Sequence, residues 1–339
     1  MSDQLIEKIY NITKKYKDPV SNVALDKDNK SFSVITKNGN ISISLSIESQ
    51  NIDKYESLLT NMKKSINEIK EALSVNIALT SEKNSKNEIG SEKRFSVNAK
   101  NIIAVASGKG GVGKSTFAVN YAVALKTIGF KVGILDADIY GPSVPRMMGI
   151  SGRPQANENK KLIPLESYGI KCMSIGFLIG VDTPTIWRGP MVMKALEQMF
   201  NGVEWGELDY LIIDLPPGTG DAQLTLAQSS KLSGSIIIST PQDVALIDAR
   251  KGINMFNRVQ VPVLGIVENM SYFICSNCDE RHEIFSNGGA KREAEKFQTK
   301  FLGELPIDKN LRINSDRGLP ACIAEPDSQI ANLYIEIAK

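Results

Sequence analysis

Apolar residues are spaced in two different ways along this chain of 339 residues. Over the first eighty positions they recur with a helical period or alternate with polar neighbours. Beyond residue 100 they gather into short, nearly continuous blocks. Leu5, Ile6, Ile9, Ile12 and Tyr16 share one helical face, so a helix is predicted at the start. Ile41, Ile43, Leu45 and Ile47 alternate with serines, as in a strand with one buried and one wet face. Asn38-Gly39 joins it to the run Ser31 to Thr36 as a hairpin. Tyr55, Leu58, Leu59, Met62, Ile66, Ile69 and Leu73 predict a long helix, and Val75 to Leu79 a third strand. Together these make a small α+β domain over 1–80.

Residues 81–99 are polar and without period, which predicts a flexible linker. From 100 to 339 apolar runs at 102–106, 131–135, 171–175, 210–215, 235–239 and 263–267 alternate with helical patterns. Near-continuous apolar strands separated by helices predict an α/β domain, a mostly parallel sheet with helices on both faces. Ligands of such sheets bind beyond the C-terminal ends of the strands.

The residues after those strand ends carry the candidate chemistry. Gly108-Lys109-Gly110-Gly111-Val112-Gly113-Lys114-Ser115-Thr116 follows the run 102–106 and opens a helical stretch, the strand–loop–helix setting of a P-loop. Its glycines let backbone N–H groups wrap phosphates, Lys114 can reach the terminal phosphates, and the Ser115 hydroxyl can hold Mg²⁺. Asp136-Ala137-Asp138 ends the next strand, where Asp138 can orient a water or reach the Mg²⁺ shell. Leu211-Ile212-Ile213-Asp214 is an apolar strand closed by an acid, and Asp214 can hold the metal with Ser115. Leu-Pro-Pro-Gly-Thr-Gly-Asp221 after it is hinged to respond to the terminal phosphate. Asp221 is expected to begin a helix as a structural cap, and Asp243 to N-cap a helix over 244–258.

Cys275-Ser-Asn-Cys278 has metal-ligand spacing, but a four-thiolate site needs four. Two such pairs across a two-fold axis supply them. A zinc knuckle completed by His282 and a redox dithiol are the competing readings. Cys172 and Cys322 stand alone in apolar surroundings and are assigned to the core, and Arg281 and His282 fit solvated loop positions equally well. The composition, 42% hydrophobic and 23% charged, allows a substantial core. A net charge of +2 gives no electrostatic case for nucleic acid or membrane. Four cysteines form no disulfide framework and the start has no apolar leader core, so the cytoplasm is expected.

The string Gly108–Thr116, with its second lysine, resembles the signature-lysine ATPases of the MinD/ParA/nitrogenase-iron-protein group. With Asp136–Pro145, Asp214–Asp221, Thr240–Leu246 and Glu268–Cys278, the resemblance narrows to the Mrp/ApbC iron–sulfur cluster carriers, over roughly 100–339. Residues 1–80 resemble, more weakly, the small domain that many bacterial members carry. The resemblance implies a homodimer that binds ATP at 108–116 and holds a bridging [4Fe–4S] cluster between the Cys275 and Cys278 pairs. It would take clusters from the assembly machinery and deliver them to apo iron–sulfur proteins. Lys109 would reach the phosphates of the opposite subunit, Asp138 would be the first switch aspartate, and Asn269 would read the adenine edge. The rivals are a spatial-organisation ATPase of the MinD/ParA type and a passive zinc- or metal-binding scaffold.

Overall fold

The computed structural model describes residues 2–29, 31–37, 40–47, 54–69, 71, 74–81, 95–178 and 189–339. They form two compact units, Met1–Ser91 and Glu92–Lys339. The first contains α1 (Ser2–Thr13), β1 (Phe32–Lys37), β2 (Asn40–Ile47), α2 (Glu56–Asn67) and β3 (Ser74–Ser81). β2 pairs antiparallel with β1 and parallel with β3. Ile41, Ile43, Leu45 and Ile47 are buried, against a core that includes Ile9, Met62 and Ile66. The serines alternating with them lie on the more accessible face, as their period requires. The Asn38-Gly39 turn lies outside the described residues, although Lys37 faces Asn40 across it.

The second unit runs β4 (Ala99–Ser107), α3 (Lys114–Thr127), β5 (Val132–Asp136), α4 (Val144–Met147), β6 (Leu165–Ser167), β7 (Ile170–Ser174), α5 (Gly189–Asn201), β8 (Leu208–Asp214), α6 (Asp221–Ser229), β9 (Gly234–Ser239), α7 (Asp243–Arg258) and β10 (Val263–Glu268). It continues through β11 (Phe273–Ile274), β12 (Arg281–His282), α8 (Gly289–Lys296), β13 (Phe301–Glu304), α9 (Lys309–Asp316), α10 (Ala321–Ala324) and α11 (Gln329–Ala338). Among the described residues eight strands form one sheet in the order β13-β10-β9-β4-β8-β5-β7-β6. All neighbours are parallel except β6, which turns back on β7. β5 and β9 are buried along their whole length, the consequence of helices on both faces. β4 sits in the middle, so the loop after it opens where connections leave to both sides of the sheet.

Three details differ from the sequence expectations. Residues 82–94 of the expected linker lie outside the described residues, but packed chain begins at Phe95. Its ring is buried and stacks on Phe200 at 4.8 Å between centroids. β6 and β13 were not foreseen; each is at most four residues long and half-buried, too short to show a period. α7 begins at Asp243, with Gln242 in the cap position and no side-chain cap bond, because the extended backbone ends at Gln242. Asp243 therefore sits in the first turn, where its charge still favours the helix dipole. α6 likewise starts at Asp221, with Gly220 in the cap position.

α3 is buried on nearly every side, and Lys114 and Asn120 are buried polar residues on it. Asn120 donates to the Thr116 carbonyl at 2.8 Å and accepts the Ala321 N–H at 2.7 Å, tying α3 to the start of α10. Asn120→Ala leaves that N–H buried without its partner, at a cost of about 1–3 kcal/mol. Both tryptophans, Trp187 and Trp205, fall in this unit. Their fluorescence during urea unfolding should therefore report the lowered midpoint.

Candidate functional site

The loop between β4 and α3 owes its shape to two glycines in the left-handed region, Gly111 (φ 80°) and Gly113 (φ 84°). Space as well as conformation excludes a side chain here. A Cβ on Gly113 would lie 2.2 Å from Asn269 Nδ2, and one on Gly108 would lie 2.2 Å from the backbone of Asp248. Asn269, just past the end of β10, donates its amide to the Val112 carbonyl at 2.8 Å. The end of β10 therefore grips the loop directly. Lys109 is half-buried and makes no ion pair among the described residues.

Lys114, at the start of α3, is only 6% exposed. Its ammonium lies 2.5 Å from Asp214 Oδ1, 3.2 Å from Ser115 Oγ and 3.9 Å from Asp138 Oδ2. Asp214 is fully buried, and its Oδ2 has no hydrogen-bond partner among the described residues. Burial pushes its pKa up, while Lys114 holds it down. Asp136, also fully buried, accepts from the N–H groups of Asp138, Ser143 and Val144 and from Ser174 Oγ, all at 3.1–3.2 Å. It braces the turn that carries Asp138. Burial raises the pKa of Asp136, and repulsion from Asp214 adds to it. Asp138 is raised for the same first reason, against the pull of Lys114.

These three carboxylates face one ammonium in a site nearly closed to water. That charge pattern, with one carboxylate oxygen unpartnered, fits a small hard cation bound by oxygen, as Mg²⁺ requires. The loop after β8 is pinned by Gly218 N–H on the Ser107 carbonyl (2.9 Å). Gln223 also holds it, donating to the carbonyls of Pro216 and Pro217 at 3.0 and 2.8 Å. A cavity of about 790 Å³ opens between this loop, Asp138–Gly141 and the helices α5 and α6. Nothing in the sequence pattern marked Gln223, since a glutamine inside a helix carries no signal by itself.

The two thiols lie further along the same chain segment. β11 and β12 pair antiparallel, Phe273 with His282 and Ile274 with Arg281, so Cys275 to Glu280 form the tip of a short hairpin. Cys275 N–H donates to the Glu280 carbonyl and Asp279 N–H to the Cys275 carbonyl, each at 2.9 Å, and Asp279 is left-handed (φ 56°). Cys278 is exposed and Cys275 half-exposed. Backbone N–H groups of Asn277 and Cys278 hold the Cys275 thiol below the usual thiol range. Among the described residues no His, Asp, Glu or further Cys joins the two thiols in a metal-binding group. His282, near Glu280 at 3.8 Å, does not complete a knuckle. Cys172 and Cys322 are buried in the core, and burial raises both thiols. Arg281 is no free loop residue: it pairs with Glu304 and lies over the ring of Tyr272.

The phosphate loop, its acids and Asn269 thus meet at the strand ends, and the thiol pair lies on the segment that continues β10. The family model described as "ParA: NUBPL iron-transfer P-loop NTPase" matches residues 98–339. An Arabidopsis thaliana protein named "Iron-sulfur protein required for NADH dehydrogenase, mitochondrial" is 56% identical over 241 residues, 71% of this chain and 77% of that protein. The "Iron-sulfur cluster carrier protein" of Escherichia coli K12 is 54% identical over 240 residues, 70% of this chain and 65% of that protein. A solved nucleotide-binding protein from Archaeoglobus fulgidus, in complex with ADP, is 43% identical with a TM-score of 0.60, covering 68% of this chain and 90% of that one.

Two outcomes are expected from this geometry. Gly113→Ala forces a left-handed alanine onto the Asn269 amide and should abolish binding of a fluorescent ADP analogue, while a binding curve like that of the wild type would contradict the cradle. Iodoacetamide should modify Cys275 and Cys278 of the folded apo-protein and spare Cys172 and Cys322 until denaturant is added. Because its folded pKa is lowered, Cys275 should react with a pH midpoint below that of an ordinary thiol, read by fragment mass spectrometry.

Proposed function

The chain belongs to the NUBPL iron-transfer P-loop NTPases of the ParA family, and from that premise we propose that it is an ATP-driven iron–sulfur cluster carrier acting as a homodimer. The observation that carries this reading is the position of the thiol pair. Cys275 and Cys278 stand at the tip of a hairpin that continues the strand end holding the phosphate loop. No third ligand from the described residues accompanies them. Two copies related by a two-fold axis bring four thiolates together, enough for a bridging [4Fe–4S] cluster as cargo.

In the ATPase half, backbone N–H groups of 108–115 receive the phosphates, and Lys114 turns from Asp214 to the terminal phosphate. Ser115 and Asp214 would hold Mg²⁺, which neutralises phosphate charge when bound. Asp138 accepts a hydrogen bond from the attacking water and orients it in line with the terminal phosphate. Lys109, left unpaired among the described residues, serves the phosphates bound by the second copy and stabilises charge there as a trans cation. Asn269 keeps its Nδ2 on Val112 and presents the other face of its amide to the base. Binding and hydrolysis shift the loops at 138–145 and 214–221, which changes the dimer interface and with it the hold on the cluster. Clusters arrive from the assembly machinery and leave to apo-proteins in a reducing compartment, the cytoplasm, consistent with four free cysteines.

The rival reading as a MinD/ParA-type organiser calls for a basic amphipathic helix that is free to lie on a membrane or DNA. Here α11 packs onto α3 instead, with Tyr334 buried beside Phe117 at 5.9 Å between ring centroids. Among the described residues no helix is long and apolar enough to cross a membrane. Anaerobic reconstitution with iron and sulfide tests the carrier reading. About four irons per dimer with a cluster spectrum, both lost in Cys275→Ala, are expected. Zinc alone, or iron retained by the variant, would overturn it.

A further inference from the structure

Glu268 and Glu304 occupy neighbouring strand ends in register, on β10 and β13. Glu268 is fully buried and accepts the N–H groups of Gly288 and Ala290, at 3.0 and 2.7 Å, at the start of α8. The Ser271 hydroxyl lies between the two acids, 2.7 Å from Glu268 and 3.1 Å from Glu304. Its single proton can serve only one of them at a time. The second acid needs another donor, and Arg281 supplies it. Its Nη1 and Nη2 lie 2.9 and 3.2 Å from the two oxygens of Glu304, a fork-to-fork pair. The same guanidinium stands 3.9 Å over the buried ring of Tyr272.

An exposed Lys–Glu pair of this reach would contribute little. Arg281 differs because two oxygens, a ring and a buried acid network fix its position, and because of where it sits in the chain. It is the first residue of β12, the return strand of the hairpin, three residues after Cys278. The outgoing strand is fixed as well. Ser271 N–H donates to the Leu305 carbonyl at 2.9 Å and Ile307 N–H to the Tyr272 carbonyl at 2.6 Å. The outgoing leg, which starts at Asn269, is thus fastened to the segment that follows β13, and the return leg to Glu304 at the end of β13.

We propose that Arg281 is the positioning residue of the thiol pair. It clamps the hairpin to Glu304 and Tyr272, so that movement of the phosphate loop, felt by Asn269, is transmitted to Cys275 and Cys278 and sets how firmly the cluster is held. This rests on the carrier reading above. Without the clamp the return leg keeps its pairing with β11 but loses its tie to β13, and a displacement of Asn269 is absorbed before it reaches the thiols.

The test uses full-length protein reconstituted anaerobically, and measures the rate of iron extraction by a ferrous chelator without nucleotide, with ADP and with ATP. Wild-type rates should differ among the three states. Arg281→Ala should release iron about tenfold faster, the scale typical of lost outer-shell support, and should no longer respond to nucleotide. Glu304→Gln should behave the same way, the double variant should be no worse than either single one, and Arg281→Lys should restore only part of the hold. Circular dichroism identifies any variant that fails to fold, and Glu304→Gln then carries the comparison. Extraction from Arg281→Ala indistinguishable from wild type in all three states would overturn the proposal. So would wild-type rates that ignore nucleotide. Failure of the carrier reading has a separate signature, iron that Cys275→Ala does not lose.

Discussion

The contact between Lys114 and Asp214 is the constraint on which the second unit depends. Asp214 ends β8 in register with Val105 of β4 on one side and Asp136 of β5 on the other. Parallel strands ending at one level therefore set two carboxylates side by side inside the protein, an arrangement that is unfavourable by burial and by repulsion alike. A single ammonium at 2.5 Å makes it tolerable. Because Lys114 opens α3, satisfying the acids also fixes where that helix starts and how the glycine loop before it must bend. The compensation is incomplete, with Asp138 nearby and one oxygen of Asp214 unpartnered. A nucleotide phosphate that draws Lys114 away would leave the acids to a divalent cation, so binding of one favours binding of the other.

The same arrangement recurs two strands beyond β4. Glu268 and Glu304 are also acids on adjacent strand ends in register, but here one cation, Arg281, relieves Glu304 while the N–H groups of Gly288 and Ala290 satisfy Glu268. The first pair is fully buried and relieved by a lysine, which can release one carboxylate for a phosphate. At the second, Glu304 takes a planar guanidinium that makes two bonds at once and suits a fixed joint better than a movable one. Chemistry at the first pair and anchorage at the second are separated by the two strands β4 and β9.

Much of this was legible in the sequence, for reasons that differ from element to element. The six buried strands could be read because helices on both faces require continuous apolar runs. The phosphate loop could be read because its glycines and Lys114-Ser115 answer to one backbone geometry. β6 and β13 could not, since half-buried strands of three or four residues have no period to detect. Asp243 was misjudged as a cap by one residue because side-chain type says little about where the extended backbone ends. Arg281 reads in the sequence as no more than a solvated loop residue, because its partner, Glu304, is 23 residues away and the pairing of β10 with β13 brings them together. Gln223 has the same character: its value lies in two proline carbonyls that no local pattern reveals.

What the tertiary structure adds is continuity between two chemistries that the sequence presents as separate motifs. From Val263 to His282 the chain is one strand, one left-handed turn at Met270 and one hairpin. Asn269, near its middle, holds the Val112 carbonyl at the centre of the phosphate loop, and Cys275 follows six residues later. A side chain on Gly113 would collide with that amide, so the loop and the strand end must move together or lose their bond. Rigid transmission over so short a path needs only that the hairpin not flex at its base. The main-chain bonds to Leu305 and Ile307 secure one leg, and without the fork of Arg281 on Glu304 the other leg would hang from β11 alone. Cys278 is exposed and Cys275 half-exposed, so the pair takes its support from the base of the hairpin rather than from burial.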